Sequence, residues 1–239
     1  MELNAQREKR LYQAKLDFFS QVAHDIKTPL TLIRGPLEKL VGGTEISEDR
    51  RGRLLTTMAK NTEKLVHLTN TLLDFRKIEV GANNLHREPL DVSLFLKEML
   101  QDYQPSFQVE QKNLSWEISD GIEAQCDREV LTKIIENLLS NALKYAERTV
   151  HLILRRTSDG HAWSLSVKND GPLLDEQERA VLFEPFHRSA RWIQKEGSGL
   201  GLALAQSFAR LHGGDLRYIE NSEKLNIFVL TIPIKTELK

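Results

Sequence analysis

Two groups of side chains in this sequence have the makings of a reaction centre. One surrounds a histidine; the other is built from amides, a lysine and glycines. In Ser20-Gln21-Val22-Ala23-His24-Asp25-Ile26-Lys27-Thr28-Pro29-Leu30 a carboxylate directly follows the histidine. Asp25 can take a proton or a hydrogen bond from one ring nitrogen of His24, leaving the lone pair of the other free to attack phosphorus. Asn137, Asn141 and Lys144 recur at i, i+4 and i+7, one face of a helix. Amides offer oxygen to a hard cation such as Mg2+ without adding charge, and a lysine can meet phosphate. Asn169-Asp170-Gly171-Pro172 ends a strand in a turn, where a side-chain carbonyl can accept from an adenine amino group. Gly197-Ser198-Gly199-Leu200-Gly201-Leu202 precedes a helix, so backbone N–H groups and a helix N-terminus can approach phosphate. It is no Walker loop, since no Gly-Lys-Ser or Gly-Lys-Thr follows, and its Gly-x-Gly-x-Gly spacing is not the dinucleotide fingerprint. Each group alone has a plainer explanation: a surface histidine, a polar helix face, an Asx turn, a flexible loop. Together, in this order, they predict phosphoryl transfer from ATP to His24.

The elements that must position these residues fall into two regions. Over residues 5–80 the pattern is two long helices. Leu16, Phe19, Ala23, Ile26, Leu30, Ile33, Leu37 and Leu40 follow at alternating steps of three and four, a heptad seam that stops at Gly42-Gly43. Leu54, Met58, Asn61, Leu65, Leu68, Leu72 and Phe75 repeat the rhythm, and Leu55, Val66, Thr69 and Leu73 widen the apolar face. A first helix of roughly 55 Å and its partner cannot cover such seams alone, so the expected solution is a homodimer closing a four-helix bundle. His24 lies beside seam residue Ala23 and so faces off the seam. Pro29 cannot donate to the carbonyl of Asp25, which predicts a bend or loosening below His24.

From Glu88 the grammar changes. Helical patterns are expected over 90–105, 129–147 and 200–212, with strands over 114–118, 150–156, 161–169, 216–220 and 226–234. Helices beside a mostly antiparallel sheet make an α+β sandwich. The segment from Leu173 to Glu196 reads as a mobile lid, and Arg188 within it as a phosphate contact. The fold class is therefore a two-domain chain: an all-α hairpin over 1–81 that dimerises into a four-helix bundle, a linker over 82–87, and an α+β sandwich over 88–239 that binds ATP.

Composition narrows the alternatives. The net charge of −1 leaves no footprint for nucleic acid or an acidic membrane surface. A single cysteine, Cys126, excludes an internal disulfide framework and reads as a small buried apolar residue. No run reaches the roughly 18 apolar residues of a membrane span, and the polar start reads as no signal peptide. The expectation is a soluble, cytoplasmic piece of a longer protein, attached to a membrane only through a sensor part outside this chain.

With these residues in view, the chain resembles the catalytic core of the sensor histidine kinases, a dimerising phosphoacceptor domain followed by a Bergerat-type ATP-binding domain. The resemblance runs over nearly the whole chain. His24 to Leu30 is similar to the H box, Asn137 to Tyr145 to the N box, Asn169 to Pro172 to the first G box, Leu182 to Phe186 to the F box, and Gly197 to Leu202 to the second G box. It implies that His24 is the phosphoacceptor, Asp25 the general base and Thr28 the residue that orients water for dephosphorylation of a partner regulator. It further implies that Asn141 holds Mg2+, that Asn137 and Lys144 sit at the phosphates and Tyr145 near the adenine, and that Gly199 and Gly201 shape a lid hinge. Gly171, Gly197, Leu200 and Leu202 complete the implied nucleotide site. The partner implied is a response-regulator receiver carrying the accepting aspartate. One departure stands out: the first G box usually reads Asp-x-Gly-x-Gly, whereas here Asn169 holds the aspartate position and Leu173 that of the second glycine. A neutral amide is a weaker acceptor than a carboxylate, so reduced ATP affinity with retained activity is expected. The alternative is a dimeric signalling scaffold whose ATP domain binds nucleotide without catalysis; His24 with Asp25 argues against it.

Overall fold

The computed structural model describes residues 2–42, 46–79, 85–185, 199–220 and 224–234, and their side chains from Ser20 on, Gln21 and Glu79 excepted. They form two compact units.

The helical unit consists of α1 (Glu2–Val41) and α2 (Glu48–Glu79), packed against each other. Helix α1 runs unbroken through Pro29 and Pro36, so the expected loosening leaves no gap in the helix. It ends as Gly42 donates its N–H to the Glu38 carbonyl at 2.9 Å. In α2, Glu48 and Asp49 open the first turn and Arg76 and Lys77 close the last, each sign matching the helix dipole. The buried stripe of α1 differs from the expected seam. Val22 and Pro29 are buried, while Ala23, Ile26, Leu30 and Leu37 are exposed, Leu30 at 54%. The reason is geometric: one neighbour covers one side of a broad apolar face and leaves the other side open. On α2, Asn61 is buried and donates to the Thr57 carbonyl at 2.7 Å, whereas Leu55, Val66 and Leu73 are exposed. The seam residues Leu16 and Phe19 lie outside the described side chains.

The second unit holds β1 (Glu88–Asp91), α3 (Val92–Val109), β2 (Asn113–Ile118), β3 (Glu123–Cys126), α4 (Arg128–Tyr145), β4 (Thr149–Arg156), β5 (Ala162–Asn169), α5 (Glu176–Ala180), α6 (Gly201–Leu211), β6 (Asp215–Ile219) and β7 (Asn226–Pro233). Five strands form one sheet in the order β2-β4-β5-β7-β6, with β2 parallel to β4 and every other pair antiparallel. Strict alternation buries Val150, Leu152 and Leu154 of β4 and Trp163, Leu165 and Val167 of β5. Against this core α4 sets Leu131, Ile134, Ile135, Leu138, Leu139 and Ala142, and α6 sets Ala203, Leu204, Ala205, Phe208 and Ala209. Cys126 is buried too, and burial pushes its thiol up to about 11.

Several elements depart from the sequence reading. Strands β1 and β3 pair antiparallel in a small separate sheet that the sequence did not announce, because each is only four residues long and carries at most two apolar side chains. Helix α3 starts at Val92, where the Asp91 side chain caps the Leu94 N–H at 2.9 Å, and runs past Pro105 to Val109. Pro105 is exposed, so the carbonyl it leaves without a helical donor can meet water.

The sheet edges are β2 and β6, and both carry charge. Glu117 on β2 meets Arg155 at 3.0 Å. Asp215 on β6 meets Arg217 at 2.8 Å and Arg210 at 3.3 Å.

Candidate active site

His24 lies on an exposed flank of α1, its side chain 73% accessible. Its Nδ1 stands 3.6 Å from Asp25 Oδ1, within ion-pair reach but longer than a hydrogen bond. The nitrogen beside the carboxylate is therefore Nδ1, which leaves Nε2 as the candidate nucleophile. One turn on, Thr28 is exposed and donates its hydroxyl to the His24 carbonyl at 3.2 Å. The helix thus presents imidazole, carboxylate and hydroxyl in one stretch.

In the second unit the candidate site is built along α4. Asn137 donates its Nδ2 to the Lys133 carbonyl at 2.8 Å, which turns its Oδ1 toward the start of α6. The approach there is close: a Cβ on Gly201 would stand 2.5 Å from Asn137 Oδ1. At the other end of α4, a Cβ on Gly171 would collide with the Tyr145 carbonyl. Gly171 and Gly201 are thus glycines because α4 passes against both. The two contacts are eight residues apart on α4, about 12 Å along the helix. Asn141 and Lys144 project between them, both partly exposed. Lys144 Nζ lies 4.9 Å from the centre of the Tyr145 ring, a cation–π distance.

The turn after β5 packs against the C-terminal end of α4. Asn169 is 3% exposed, and its Oδ1 accepts from the Gly171 N–H at 3.1 Å. Asp170 is committed elsewhere. Its carboxylate accepts the backbone N–H groups of Glu147, Arg148 and Thr149, each at 3.0 Å. Burial pushes the Asp170 carboxyl up, but these hydrogen bonds outweigh it and leave the group below its ordinary range. The aspartate next to Asn169 therefore holds the α4–β4 loop and does not replace the missing carboxylate.

Sequence reasoning missed Asn226 and Tyr218. Asn226 faces Asn169 across the β5–β7 ladder and is 5% exposed. Its Nδ2 donates to the carbonyls of Gly171 at 2.9 Å and Pro172 at 3.2 Å and to Asn169 Oδ1 at 3.3 Å. Its Oδ1 accepts the Tyr218 hydroxyl at 3.0 Å. An asparagine opening a strand was the only available signal, and it gives no hint of the opposing residue.

Of the remaining predicted residues, Gly199 adopts φ +70, Leu200 is buried and Leu202 half-buried. Arg188 and Gly197, with Phe186 and the rest of the expected lid beyond it, lie outside the described residues. Ahead of them, α5 opens on a capping box in which Asp175 and Glu178 exchange side-chain and backbone bonds. Among the described residues no three His, Cys, Asp or Glu side chains cluster as metal ligands. The candidate oxygen donors on this face of α4, Asn137 and Asn141, are neutral amides, and Asn141 makes no side-chain hydrogen bond among the described residues. That donor set suits a hard cation that keeps most of its water and takes its remaining ligands from phosphate. No helix among the described residues is long and apolar enough to cross a membrane.

Known proteins share this organisation. Residues 14–81 match the family described as the His Kinase A (phospho-acceptor) domain, and residues 126–236 the histidine kinase-, DNA gyrase B- and HSP90-like ATPase. The sensor histidine kinase WalK of Bacillus subtilis is 26% identical over 234 residues, 96% of this chain and 38% of its own length. The sensor histidine kinase TmoS of Ectopseudomonas mendocina is 29% identical over 238 residues, 98% of this chain and 24% of its own. The chain thus spans well under half the length of these relatives. The solved histidine kinase ThkA in complex with the response regulator protein TrrA covers 98% of this chain and 67% of that one, with TM-score 0.65 and 20% identity, a likeness of fold.

Proposed function

The chain belongs to the histidine kinases, as the catalytic core with both the phospho-acceptor and the ATPase domain, and from that premise we propose that it phosphorylates His24 from Mg-ATP. The observation that carries this reading is His24 itself, exposed on α1 with Asp25 Oδ1 3.6 Å from Nδ1. The Nε2 lone pair attacks the γ-phosphorus in line. The new N–P bond forms as the bond to the β–γ bridging oxygen breaks, and ADP leaves with that electron pair. The Nδ1 proton passes to Asp25, so the phosphorylated ring ends neutral. Such transfers rest on positioning and charge neutralisation. When bound, Mg2+ supplies charge neutralisation at the phosphates. Asn141 would hold it, with Asn137 and Lys144 at the phosphates and Tyr145 beside the base. Arg188 is assigned to phosphate on its sequence position alone.

The phosphoryl group then passes to an aspartate on a response-regulator receiver, a partner class that the ThkA complex with TrrA supports by analogy. Thr28, exposed one turn beyond His24, would orient water for the reverse task of clearing phosphate from the regulator. The acceptor unit works as a homodimer, and the whole is the cytoplasmic part of a membrane-anchored sensor. The domain limits follow the same reading: acceptor unit 1–81, linker 82–87, ATP unit 88–239.

The test is incubation with γ-labelled ATP and Mg2+ beside a His24→Ala control, followed by acid and alkali treatment. Alkali-stable, acid-labile label that is absent from the control is expected. A folded, ATP-binding chain that takes no label would instead favour the dimeric scaffold.

A further inference from the structure

The amide of Asn169 has two chemically opposite ends, and the structure commits one of them. Its oxygen accepts from the Gly171 N–H at 3.1 Å, a backbone group that can only donate. It also lies 3.3 Å from Asn226 Nδ2. The polarity of Asn226 is fixed in turn. Its nitrogen faces the Gly171 and Pro172 carbonyls, which can only accept, and its oxygen takes the Tyr218 hydroxyl. Turning the Asn169 amide over would set its NH2 against two donors at a position 3% exposed, with no compensating bond. The end left for a ligand is the NH2. Asp170 cannot reverse this, because its carboxylate is held by the backbone of 147–149.

An aspartate at position 169 would turn an acceptor toward the ligand; this asparagine turns a donor. The 6-amino group of adenine is itself a donor, and adenine can meet a donor there only with a ring nitrogen. The 6-carbonyl of hypoxanthine or guanine is an acceptor and matches. Building on the nucleotide site proposed above, we propose that Asn169 is a specificity-determining residue that reads the purine 6-position with an N–H donor. Asn226 is its positioning residue, and the site takes 6-oxo purine nucleoside triphosphates about as well as ATP. Inosine triphosphate is the cleanest probe, since it differs from ATP at the 6-position and lacks the 2-amino group of guanine.

The experiment is calorimetric titration of the whole chain with Mg-ATP and with Mg-inosine triphosphate, in the wild type, Asn169→Asp and Asn226→Ala. In the wild type the two dissociation constants should agree within about tenfold. Asn169→Asp keeps an oxygen toward Gly171, so it should fold, and should shift the ratio toward ATP by at least about thirtyfold, as a hydrogen-bonding site does when the partner's polarity is wrong. Asn226→Ala removes one of the two donors that hold the Asn169 oxygen and leaves only the Gly171 N–H, so it loosens the amide and should move the ratio part of the way toward ATP; a merely structural role would weaken both nucleotides alike. ATP preferred by more than about tenfold in the wild type, with the ratio unmoved by Asn169→Asp, overturns the inference and leaves the nucleotide site standing. Binding of neither nucleotide to the folded chain brings down the nucleotide site and this inference with it.

Discussion

At the scale of single residues, the histidine and the helix face were legible because their information is local. Asp25 adjoins His24, and Asn137, Asn141 and Lys144 sit at fixed helical intervals. The Asn169–Asn226 pair was not legible, because it depends on the register of two strands 57 residues apart. Gly201 lies between these cases: its sequence context suggested a phosphate loop, but its tight limit is set by Asn137. Gly201→Ala should push the Asn137 amide aside. The obstacle is the far end of a side chain and not backbone, so the fold should survive with a thermal midpoint close to wild type. ATP affinity should fall by about tenfold or more, the equivalent of one hydrogen bond of roughly 1.5 kcal/mol; calorimetry beside a melting curve checks both. The same change at Gly171 meets the Tyr145 backbone. It should cost about 1–3 kcal/mol of stability, read from denaturant unfolding.

At the scale of elements, α4 organises the second unit, and its first turn is held by a junction that composition did not reveal. Asp127 caps α4 by accepting the Val130 N–H at 3.0 Å, and also accepts the His86 N–H at 2.8 Å. Its own N–H is donated to Nε2 of His212, at the end of α6, while His212 Nδ1 faces the Phe208 carbonyl. His212 is fully buried and serves as an acceptor, so it must be neutral. Burial pushes its pKa below the ordinary histidine value; the Phe208 carbonyl and Asp127 oppose this and Arg87 adds to it. The unfolded chain therefore binds a proton that the folded chain refuses. Stability from this site is complete above about pH 6.5, the ordinary histidine value, and is lost as pH falls from there toward the lowered folded pKa. Thermal midpoints should drop over that window, and His212→Gln, which keeps an acceptor but does not titrate, should flatten the drop. Nothing local in the sequence around His212 records that three segments meet there.

At the scale of the whole molecule, the two long helices and the α+β unit were both readable from periodicity, but the face that α1 turns to α2 was not. A heptad seam marks which residues are apolar; it does not assign them among several neighbours. The exposed remainder, Ile26, Leu30 and Leu37 on α1 with Leu55, Val66 and Leu73 on α2, is the surface a second copy would cover. Leu30→Glu together with Val66→Glu should weaken dimerisation by at least a hundredfold. Burying each side chain is worth about 1.5–3 kcal/mol, and two-fold symmetry doubles the effect; sedimentation velocity across micromolar concentrations reads it.

Such a dimer would tether two α+β units at a local concentration on the order of millimolar, where open strand edges are prone to zip together. One edge strand carries Glu117, paired with Arg155 of β4, and the other carries Asp215 and Arg217, with Arg210 of α6 beside them. Fixed charges of this kind discourage another strand from adding to the ladder. In such a dimer they would keep the tethered units apart, so that permanent crowding need not become aggregation.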